Sequence, residues 1–397
     1  MVRKSSVLVL HPFLQHSHQL AMGLFERDLL MLLWTGTPLL GLGELPSSLL
    51  PRQLSARMKR TTIPKAKLRL SVWPQLAIRA TGLFPLGNPS DNSHRIFHAF
   101  DYIASKQLSI LRPDVVVAFE NSAFNTFTAA KRLGIRCVLD APSLHHIPSD
   151  ALIDTPQTKL RNEINRRKDA EVELAEMILT CSSLAANSYI ENGVSKTKMF
   201  PMLLGAEIPQ QNDRTNTVSV RGKPKFVFAG GLTHRKSIDL ILAAFRTLHS
   251  EGFQFQIIFV GGCSNPGYLE EMRHLPGTEH HPPMPQENLF EIFRNSDCLL
   301  LPSRFDSFGM VVAEAMACGI PAVVSTRTGA KEIVEKHPNS GWVVEPSIES
   351  LTEQLRYLLI NPDKLHSAKS AALDASKEFT WAAYRMRIGS LFESLCA

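Results

Sequence analysis

Short apolar runs alternate with longer amphipathic stretches along most of this chain. The apolar runs fall at residues 7–10, 115–119, 135–139, 178–180, 226–229, 255–260, 299–301, 322–324 and 342–344. Most are followed by a loop and then by a stretch with helical periodicity, such as residues 19–33 and 237–248. Repeated strand, loop and helix signals predict parallel α/β sheets, whose ligands bind at the carboxyl ends of the strands.

A polar stretch without periodicity at residues 209–224 separates two α/β runs of similar layout. We therefore expect an N-terminal domain over residues 1–208, a linker over 209–224 and a C-terminal domain over 225–378. A last amphipathic helix follows at residues 379–397. Two such domains would face each other across a cleft, and clefts between domains are frequent ligand sites.

The stretch 302–321 carries the clearest chemistry in the sequence. An apolar run leads into a loop, and a helix is predicted from Gly309 until Gly319 ends it. Asp306 and Glu314 flank the start of that helix. The free N–H groups and positive dipole end of a helix suit a phosphate, and carboxylates beside them suit sugar hydroxyls.

A βα unit with two surface acids would explain the same pattern. Glu314 argues against that alternative, because its neighbours between positions 311 and 316 are all small or apolar. A carboxylate in such a run needs a polar partner. From these residues alone, the two interpretations stay open.

Composition indicates a soluble globular protein in a reducing compartment. The chain has 397 residues, a length that fits two or three domains, and 44% of them are hydrophobic. Its six cysteines are scattered without a C-x-x-C pair, which favours reduced thiols. The apolar runs near the N-terminus are too short for a signal peptide or a membrane span. We therefore expect a cytoplasmic protein without a transmembrane segment.

The net charge of +6 is concentrated in the N-terminal half. Residues 1–215 hold 25 Lys and Arg against 18 Asp and Glu, and the remainder holds 18 against 19. A basic segment, residues 51–70, contains no acid and seven cations: Arg52, Arg57, Lys59, Arg60, Lys65, Lys67 and Arg69. It could attract an anionic acceptor or an anionic membrane surface, or it could be a solvated loop. Nucleic acid is disfavoured, because aromatic residues are not interleaved there.

Three stretches of the C-terminal half resemble the donor-binding domain of retaining GT-B glycosyltransferases, in particular those of family 4. They are residues 228–239, 301–321 and 328–342, and they occur in the family's order. The N-terminal half resembles the family more weakly, at residues 140–145 and 171–175. The resemblance implies an α/β GT-B fold with two Rossmann-like domains facing a central cleft. It also implies that the last helix crosses back to the N-terminal domain.

The activity implied by the resemblance is retaining transfer of a sugar from a nucleoside-diphosphate sugar, such as a UDP- or GDP-sugar, to an unknown acceptor. A front-face route is expected, in which the leaving phosphate helps to take the acceptor proton. No cofactor and no metal would be needed. The acceptor could be anionic or membrane-associated, so that the protein would sit at the inner membrane surface.

The resemblance also assigns the donor phosphates to particular residues. Lys236 matches the phosphate-binding lysine of the family. Gly231 stands where the family commonly has an arginine, and Arg235 is expected to supply that cation instead. Ser237 stands where glycine is usual. Backbone N–H groups at Phe308, Gly309 and Met310 would face the sugar or the phosphate.

Three further side chains complete the expected site. Glu314 matches the acid that holds the nucleotide ribose, and Asp306 matches the acid near the donor sugar, where the family usually has glutamate. His145 matches the catalytic histidine on the acceptor side. His146 is the alternative, and the spacing from Asp140 favours His145.

Other classes of function are less well supported. His11, His16 and His18 match no standard zinc spacing, and the motifs of P-loop NTPases, zincins and α/β-hydrolases do not occur. Two alternatives remain open besides transfer. One is a non-catalytic nucleotide-sugar-binding protein, and the other is an epimerase or phosphorylase built on the same fold.

Overall fold

The computed structural model describes residues 6–36, 39–40, 59–71, 73–74, 76–77, 89–152, 158–209 and 222–396. Most of the expected linker lies outside these residues, as do Arg52 and Arg57 of the basic segment. Each half of the chain forms one large parallel sheet. The prediction of two parallel α/β domains is therefore confirmed.

The N-terminal sheet has seven parallel strands. In chain order the strands of this half are β1 (Val7–His11), β2 (Leu30–Thr35), β3 (Leu39–Leu40), β4 (Lys59–Arg60), β5 (Leu68–Leu70), β6 (Val115–Phe119), β7 (Arg136–Asp140), β8 (Met177–Thr180) and β9 (Met199–Pro201). The sheet order is β5-β2-β1-β6-β7-β8-β9, and β3 pairs with β4 separately. β1 and β6 are buried along their whole length, because helices cover both faces of the sheet.

Seven described α-helices belong to this half. They are α1 (Ser17–Glu26), α2 (Pro89–Ser105), α3 (Leu108–Leu111), α4 (Phe124–Arg132), α5 (His146–Leu152), α6 (Lys159–Leu174) and α7 (Ser183–Ile190). The predicted helix over residues 19–33 was too long. It ends at Glu26, and Asp28 takes a φ of 59°, which turns the chain into β2. The apolar run that looked helical is a strand held between β1 and β5.

The C-terminal sheet has six parallel strands. They are β10 (Lys225–Ala229), β11 (Gln256–Val260), β12 (Thr278–His281), β13 (Cys298–Leu301), β14 (Ala322–Ser325) and β15 (Gly341–Val344), in the order β12-β11-β10-β13-β14-β15. The helices are α8 (Ile238–Ser250), α9 (Pro266–His274), α10 (Gln286–Arg294), α11 (Met310–Ala317), α12 (Lys331–Lys336), α13 (Ile348–Ile360) and α14 (Pro362–Ser376). The edge strand β12 was not expected, since the sequence there is polar and carries no alternation.

The last helix, α15 (Trp381–Cys396), packs on the N-terminal domain rather than on its own half. Arg385 donates from Nη1 to Oε1 of Gln19 in α1 at 2.9 Å. A Cβ added at Gly23 of α1 would lie 2.8 Å from the carbonyl oxygen of Arg385, so the two helices meet at backbone distance. A parallel bridge between Ala206 and Thr380 marks the place where the chain returns.

The two domains also touch through a small polar contact. The carboxylate of Glu332 accepts hydrogen bonds from the backbone N–H groups of Ser183 and Leu184, at 2.7 and 3.3 Å. It therefore caps the N-terminus of α7 from the opposite domain. Next to it, Ser182 donates from Oγ to the carbonyl oxygen of Ser307 at 2.5 Å. These bonds fix how closely the motif loop around Ser307 approaches the N-terminal sheet.

None of the described helices combines the length and the apolar character that a membrane crossing requires.

Candidate functional site

A cavity of about 860 Å³ lies between the two domains, beyond the carboxyl ends of their strands. We call it the interdomain cleft. The C-terminal domain contributes residues that include Gly231, Lys236, Asp306, Phe308, Gly309, Met310 and Glu314. The N-terminal domain contributes Gln15, His16, Pro142, Cys181 and Leu204, and α15 contributes Trp381. The structure thus brings together seven of the nine side chains and backbone positions that the sequence had marked.

Lys236 and Asp306 form an ion pair on the floor of the cleft. Lys236 ends a short turn, His234–Lys236, and its own N–H group donates to the side chain of Thr233. Asp306 is held by its backbone, which pairs with Thr328 in a parallel bridge and accepts from the N–H of Gly329 at 2.9 Å. Both side chains are mostly buried, so Asp306 fixes the ammonium group of Lys236 at the cleft surface.

The N-terminus of α11 opens directly into the cleft. Gly309 precedes the helix with a φ of 84°, a conformation that favours glycine, and no side chain caps the helix. A Cβ at this position would lie 2.7 Å from Cδ2 of Leu301, so glycine is also required for space. Phe308 and Met310 line the cleft on either side. The helix therefore presents backbone N–H groups and its positive dipole end to the cavity.

Glu314 lies one turn further along α11, at the same cavity. Its Oε1 accepts a hydrogen bond from Nε2 of Gln286, the first residue of α10, at 2.8 Å. Burial raises the pKa of Glu314 to about 7, and the nearby carboxylate of Glu207 adds to the rise. Among the described residues, Gln286 is the hydrogen-bonding partner of this largely buried carboxyl group.

The glycines beside this site serve two different purposes. A Cβ at Gly261 would lie 1.8 Å from the carbonyl oxygen of Gly230, so the ends of β10 and β11 can meet only with glycine there. At Gly231 the nearest atom to an added Cβ is Cγ2 of Thr233 at 3.9 Å. The place where the family commonly has an arginine therefore has room for a side chain.

Arg235 does not line the cleft. Its Nη1 donates to the carbonyl oxygen of Phe305 at 2.9 Å, and the guanidinium group lies 5.7 Å from the centre of the Phe305 ring. The backbone carbonyl of Arg235 accepts from the N–H of Arg304 at 3.0 Å. Arg235 thus shapes the loop that carries Asp306, and its expected contact with the donor phosphate stays a prediction. Ser237 has a φ of 62°, which explains why glycine is usual at this position.

His145 also lies outside the lining of the cleft. Its backbone N–H donates to Oγ of Ser188, and its ring packs 4.4 Å from that of His146 in a small internal cluster. His146 pairs with Asp169 through Nε2 at 2.6 Å. Neither ring is among the groups that line the cleft, and both face a smaller pocket with Glu120 and Lys168. The catalytic role of His145 or His146 therefore stays a prediction without support from the cleft geometry.

In the described part of the chain, one group of side chains has the spacing of a metal site. It consists of His145, His146 and Asp169, whose ligand atoms lie within 4.8 Å of one another. The ammonium group of Lys168 lies nearby, paired with Glu120 at 2.8 Å. The group is separate from the cleft, and nothing in the geometry connects it with the donor site.

A different histidine lies on the N-terminal side of the cleft. His16 lines the cavity, and its Nε2 lies 3.0 Å from Oδ1 of Asp140, the last residue of β7. Both side chains are about 7% exposed. Sequence reasoning weighed His16 only as a metal ligand and treated Asp140 only as a spacing reference. The available signal was that each residue follows a buried parallel strand, because such positions meet at one sheet edge.

The geometry agrees with comparisons to known proteins. Residues 209–374 match the family model of glycosyl transferases group 1. This match covers the C-terminal side of the cleft, including the Lys236 turn, the Asp306 loop and α11 with Glu314.

Curated relatives of this chain are named glycosyltransferases. An uncharacterised glycosyltransferase of Methanocaldococcus jannaschii is 25% identical over 171 residues, which is 42% of this chain and 44% of that protein. A D-inositol 3-phosphate glycosyltransferase of Rhodococcus erythropolis is 26% identical over 64% of this chain and 61% of that protein. The chain matches less than two thirds of the length of either relative.

Solved structures extend the likeness to the whole fold. A sucrose-phosphate synthase from Thermosynechococcus elongatus matches 99% of both chains, with a TM-score of 0.69 and 16% identity. Anabaena HepE in complex with UDP matches 98% of this chain and all of that chain, with a TM-score of 0.64 and 16% identity. The chain has the GT-B fold of these proteins, as the sequence resemblance implied.

Proposed function

We propose that this protein transfers a sugar from a nucleoside-diphosphate sugar to an acceptor, with retention at the anomeric carbon. The observation that carries the proposal is that three features face one cavity: Lys236, the uncapped N-terminus of α11 and Glu314. They correspond to the three polar parts of such a donor, which are the diphosphate, the sugar and the ribose. All three lie inside the segment that matches glycosyl transferases group 1.

In this proposal the donor side stabilises the leaving phosphate electrostatically. Lys236 and the N–H groups of α11 neutralise the charge that grows on the β-phosphate as its bond to the anomeric carbon breaks. Because these groups are fixed before the donor binds, little reorganisation is needed during the reaction. Glu314 accepts hydrogen bonds from the ribose hydroxyls while Gln286 holds its other side. These residues take the place of a metal ion in our mechanism.

Asp306 is the proposed contact to the donor sugar. Its ion pair with Lys236 places a carboxylate between the phosphate site and the sugar site. We propose a front-face route, in which the acceptor attacks from the side of the leaving phosphate. The proposal draws on the order and spacing of the three motif stretches, which resemble family 4. In UDP-bound and UDP-glucose-bound HepE the ligands belong to a protein of the same fold.

The acceptor would bind to the N-terminal domain, and we propose an anionic or membrane-borne one. The charge excess of this half supports the proposal. Two cations of the basic segment are already used within the fold, however. Lys67 donates to the carbonyl oxygen of Leu30 at 2.6 Å, and the guanidinium group of Arg69 stacks 3.8 Å from the centre of the Trp34 ring.

An exposed apolar patch offers better support for peripheral membrane binding than these two cations. Tyr102, Ile103 and Ile110 are exposed on α2 and α3, and Lys106 lies between them. Apolar side chains mixed with cations are typical of surfaces that rest on anionic lipid. A position at the inner membrane surface is part of the same proposal.

The proposal is tested by release of nucleoside diphosphate from UDP-, GDP- and ADP-sugars. We expect the wild type to release it from one of these donors, and Lys236→Met to lose at least about 100-fold in rate. Lys336→Met, on the exposed face of α12, serves as a matched control and should behave as the wild type. Equal rates for Lys236→Met and the wild type would contradict the assignment.

The same assay separates the alternatives. Release that requires inorganic phosphate would indicate a phosphorylase, and a changed sugar without release would indicate an epimerase. Binding of a donor without any turnover would indicate a non-catalytic binding protein. The anomeric configuration of the product, read by proton NMR, tests retention.

A further inference from the structure

The acceptor side of the cleft contains a histidine and aspartate pair that the donor site does not use. His16 lines the cavity from the N-terminal domain, and Asp140 lies behind it with Oδ1 at 3.0 Å from Nε2 of His16. Among the described residues no group bonds Nδ1 of His16. The imidazole thus has one nitrogen fixed by a buried carboxylate and the other without a protein partner.

From this geometry we propose that His16 is the catalytic base that takes the proton from the acceptor hydroxyl, with Asp140 as its positioning residue. The inference rests on the proposed function and deepens it. Asp140 accepts from Nε2–H and so leaves Nδ1 as the hydrogen-bond acceptor. It also stabilises the imidazolium that forms when Nδ1 takes the proton.

The step balances without any further reactant. The acceptor oxygen forms a bond to the anomeric carbon, and the bond from that carbon to the phosphate oxygen breaks. The electron pair leaves on the nucleoside diphosphate, and the acceptor proton goes to Nδ1 of His16. The proton returns to solvent after the product leaves. The inference thus changes one step of the front-face route, because His16 and not the leaving phosphate takes the acceptor proton.

The loop that carries His16 is held firmly, as a base requires. Phe13 donates from its N–H to Nδ1 of His11 at 2.9 Å, and its carbonyl oxygen accepts from Oγ1 of Thr35. The carbonyl oxygen of His16 accepts from two N–H groups at the start of α1. Tyr384 of α15 packs edge-on against the His16 ring, with centroids 6.5 Å apart. Such support keeps a catalytic side chain in one geometry.

A purely structural pair, tying the first loop to β7, would show the same distance. Two observations favour a chemical role. The pair lies at the sheet edge where β1 and β7 end, and His16 lines the same cavity as Lys236 and Glu314. The carboxylate of Asp140 is about 7% exposed and does not line the cleft, whereas His16 does. His16 is the hydrogen-bonded counterpart of that carboxylate.

The test uses two nucleophiles, one that needs a base and one that does not. With UDP-glucose as donor, water must lose a proton when it attacks, and azide has none to lose. We expect His16→Gln and Asp140→Asn to slow hydrolysis of UDP-glucose about 100-fold or more. Formation of glucosyl azide should stay within about threefold of the wild type, and so should UDP binding.

Asp140→Asn probes the tautomer specifically, because an amide that donates to Nε2 would place the proton on Nδ1. His18→Gln is the matched control, since His18 belongs to the same turn and does not line the cleft. Hydrolysis at the wild-type rate in His16→Gln and Asp140→Asn would overturn the proposal. An equal loss of hydrolysis and of azide transfer in these two variants would also overturn it. If the wild type fails to bind any of the UDP-, GDP- or ADP-sugars, the proposed function itself fails, and the base assignment fails with it.

Discussion

The two sides of the cleft are built in opposite ways. The proposed donor side, which the C-terminal domain forms, comes from one continuous part of the chain, in which the Lys236 turn, the Asp306 loop and α11 follow strands of a single sheet. The acceptor side is assembled from distant pieces: Gln15 and His16 before α1, Pro142 after β7, and Trp381 at the start of α15. The functional residues of a continuous motif can be recognised in the sequence. Residues that come from distant segments can be recognised as one site only in the folded structure.

The difference predicts that damage on the donor side will have the largest effect on turnover. Lys236→Met removes the ammonium group that faces the phosphate and leaves Asp306 without its partner. We expect kcat/KM for donor cleavage to fall by about 100- to 1,000-fold. Steady-state kinetics with the best donor, beside Lys336→Met, measures the effect. A loss under threefold would show that another group neutralises the phosphate.

Contacts between the two sides should contribute to stability. Glu332→Gln removes the charge that caps α7 from the opposite domain. We expect the free energy of unfolding to fall by about 1–3 kcal/mol, as for other charge-assisted hydrogen bonds. Urea unfolding measures this loss, and Glu335→Gln, at an exposed position of the same helix, is the control. Equal stability of the two variants would mean that the domain contact adds nothing.

The ribose contact predicts a pH dependence. Burial raises the pKa of Glu314 from an ordinary 4.5 to about 7. The unfolded chain therefore releases this proton first, and ionisation of the folded group costs stability as the pH rises from about 4.5 to 7. Glu314→Gln should raise the free energy of unfolding by about 1–3 kcal/mol at pH 8 and by little at pH 4.5.

Paired melting curves of Glu314→Gln and the wild type at the two pH values measure this difference. The same variant should lose affinity for UDP at pH 8, because an amide accepts fewer hydrogen bonds from the ribose diol than a carboxylate. A stability difference independent of pH, or unchanged UDP affinity, would contradict the role given to Glu314.

The open space at Gly231 predicts the smallest effect, and a gain. Gly231→Arg places a guanidinium group at the position where the family commonly has one, and an added Cβ meets no close neighbour. We expect UDP to bind about 3- to 10-fold more tightly, which is about 0.6 to 1.4 kcal/mol. Calorimetric titration measures the gain, and Gly231→Gln controls for the added bulk. Equal affinities would show that the existing cations already satisfy the diphosphate.

The comparison of the two sides also explains what the sequence could predict. The alternation of strand, loop and helix patterns was sufficient to predict two parallel sheets. The stretch 302–321 was sufficient to predict that Asp306, Gly309 and Glu314 lie at one cleft. The error at residues 19–33 arose because a strand covered on both faces has no polar side, so its apolar run continued the pattern of α1. A turn at Asp28, with its positive φ, decides the boundary.

The acceptor side was beyond the sequence for a topological reason. His16 and Asp140 are 124 positions apart, and they meet because β1 and β7 end at the same edge of the sheet. The adjacent pair His145 and His146 was more conspicuous, yet neither residue lines the cleft, and their predicted role stays untested. The side chain of Arg235 likewise donates a hydrogen bond to the carbonyl oxygen of Phe305 and does not line the cleft. Side-chain direction at a loop depends on such local bonds, which spacing along the chain does not encode.

The central claim is that the donor side of the cleft binds a nucleoside-diphosphate sugar. The most direct measurement is the melting temperature with UDP-, GDP- and ADP-sugars, for the wild type, Lys236→Met, Glu314→Gln and Lys336→Met. A ligand at 100 times its dissociation constant stabilises a protein by about 2.7 kcal/mol, which shifts melting by a few degrees. We predict such a shift with one donor for the wild type and Lys336→Met, and a much smaller one for the two cleft variants. No shift with any donor, or equal shifts in all four proteins, would contradict the claim.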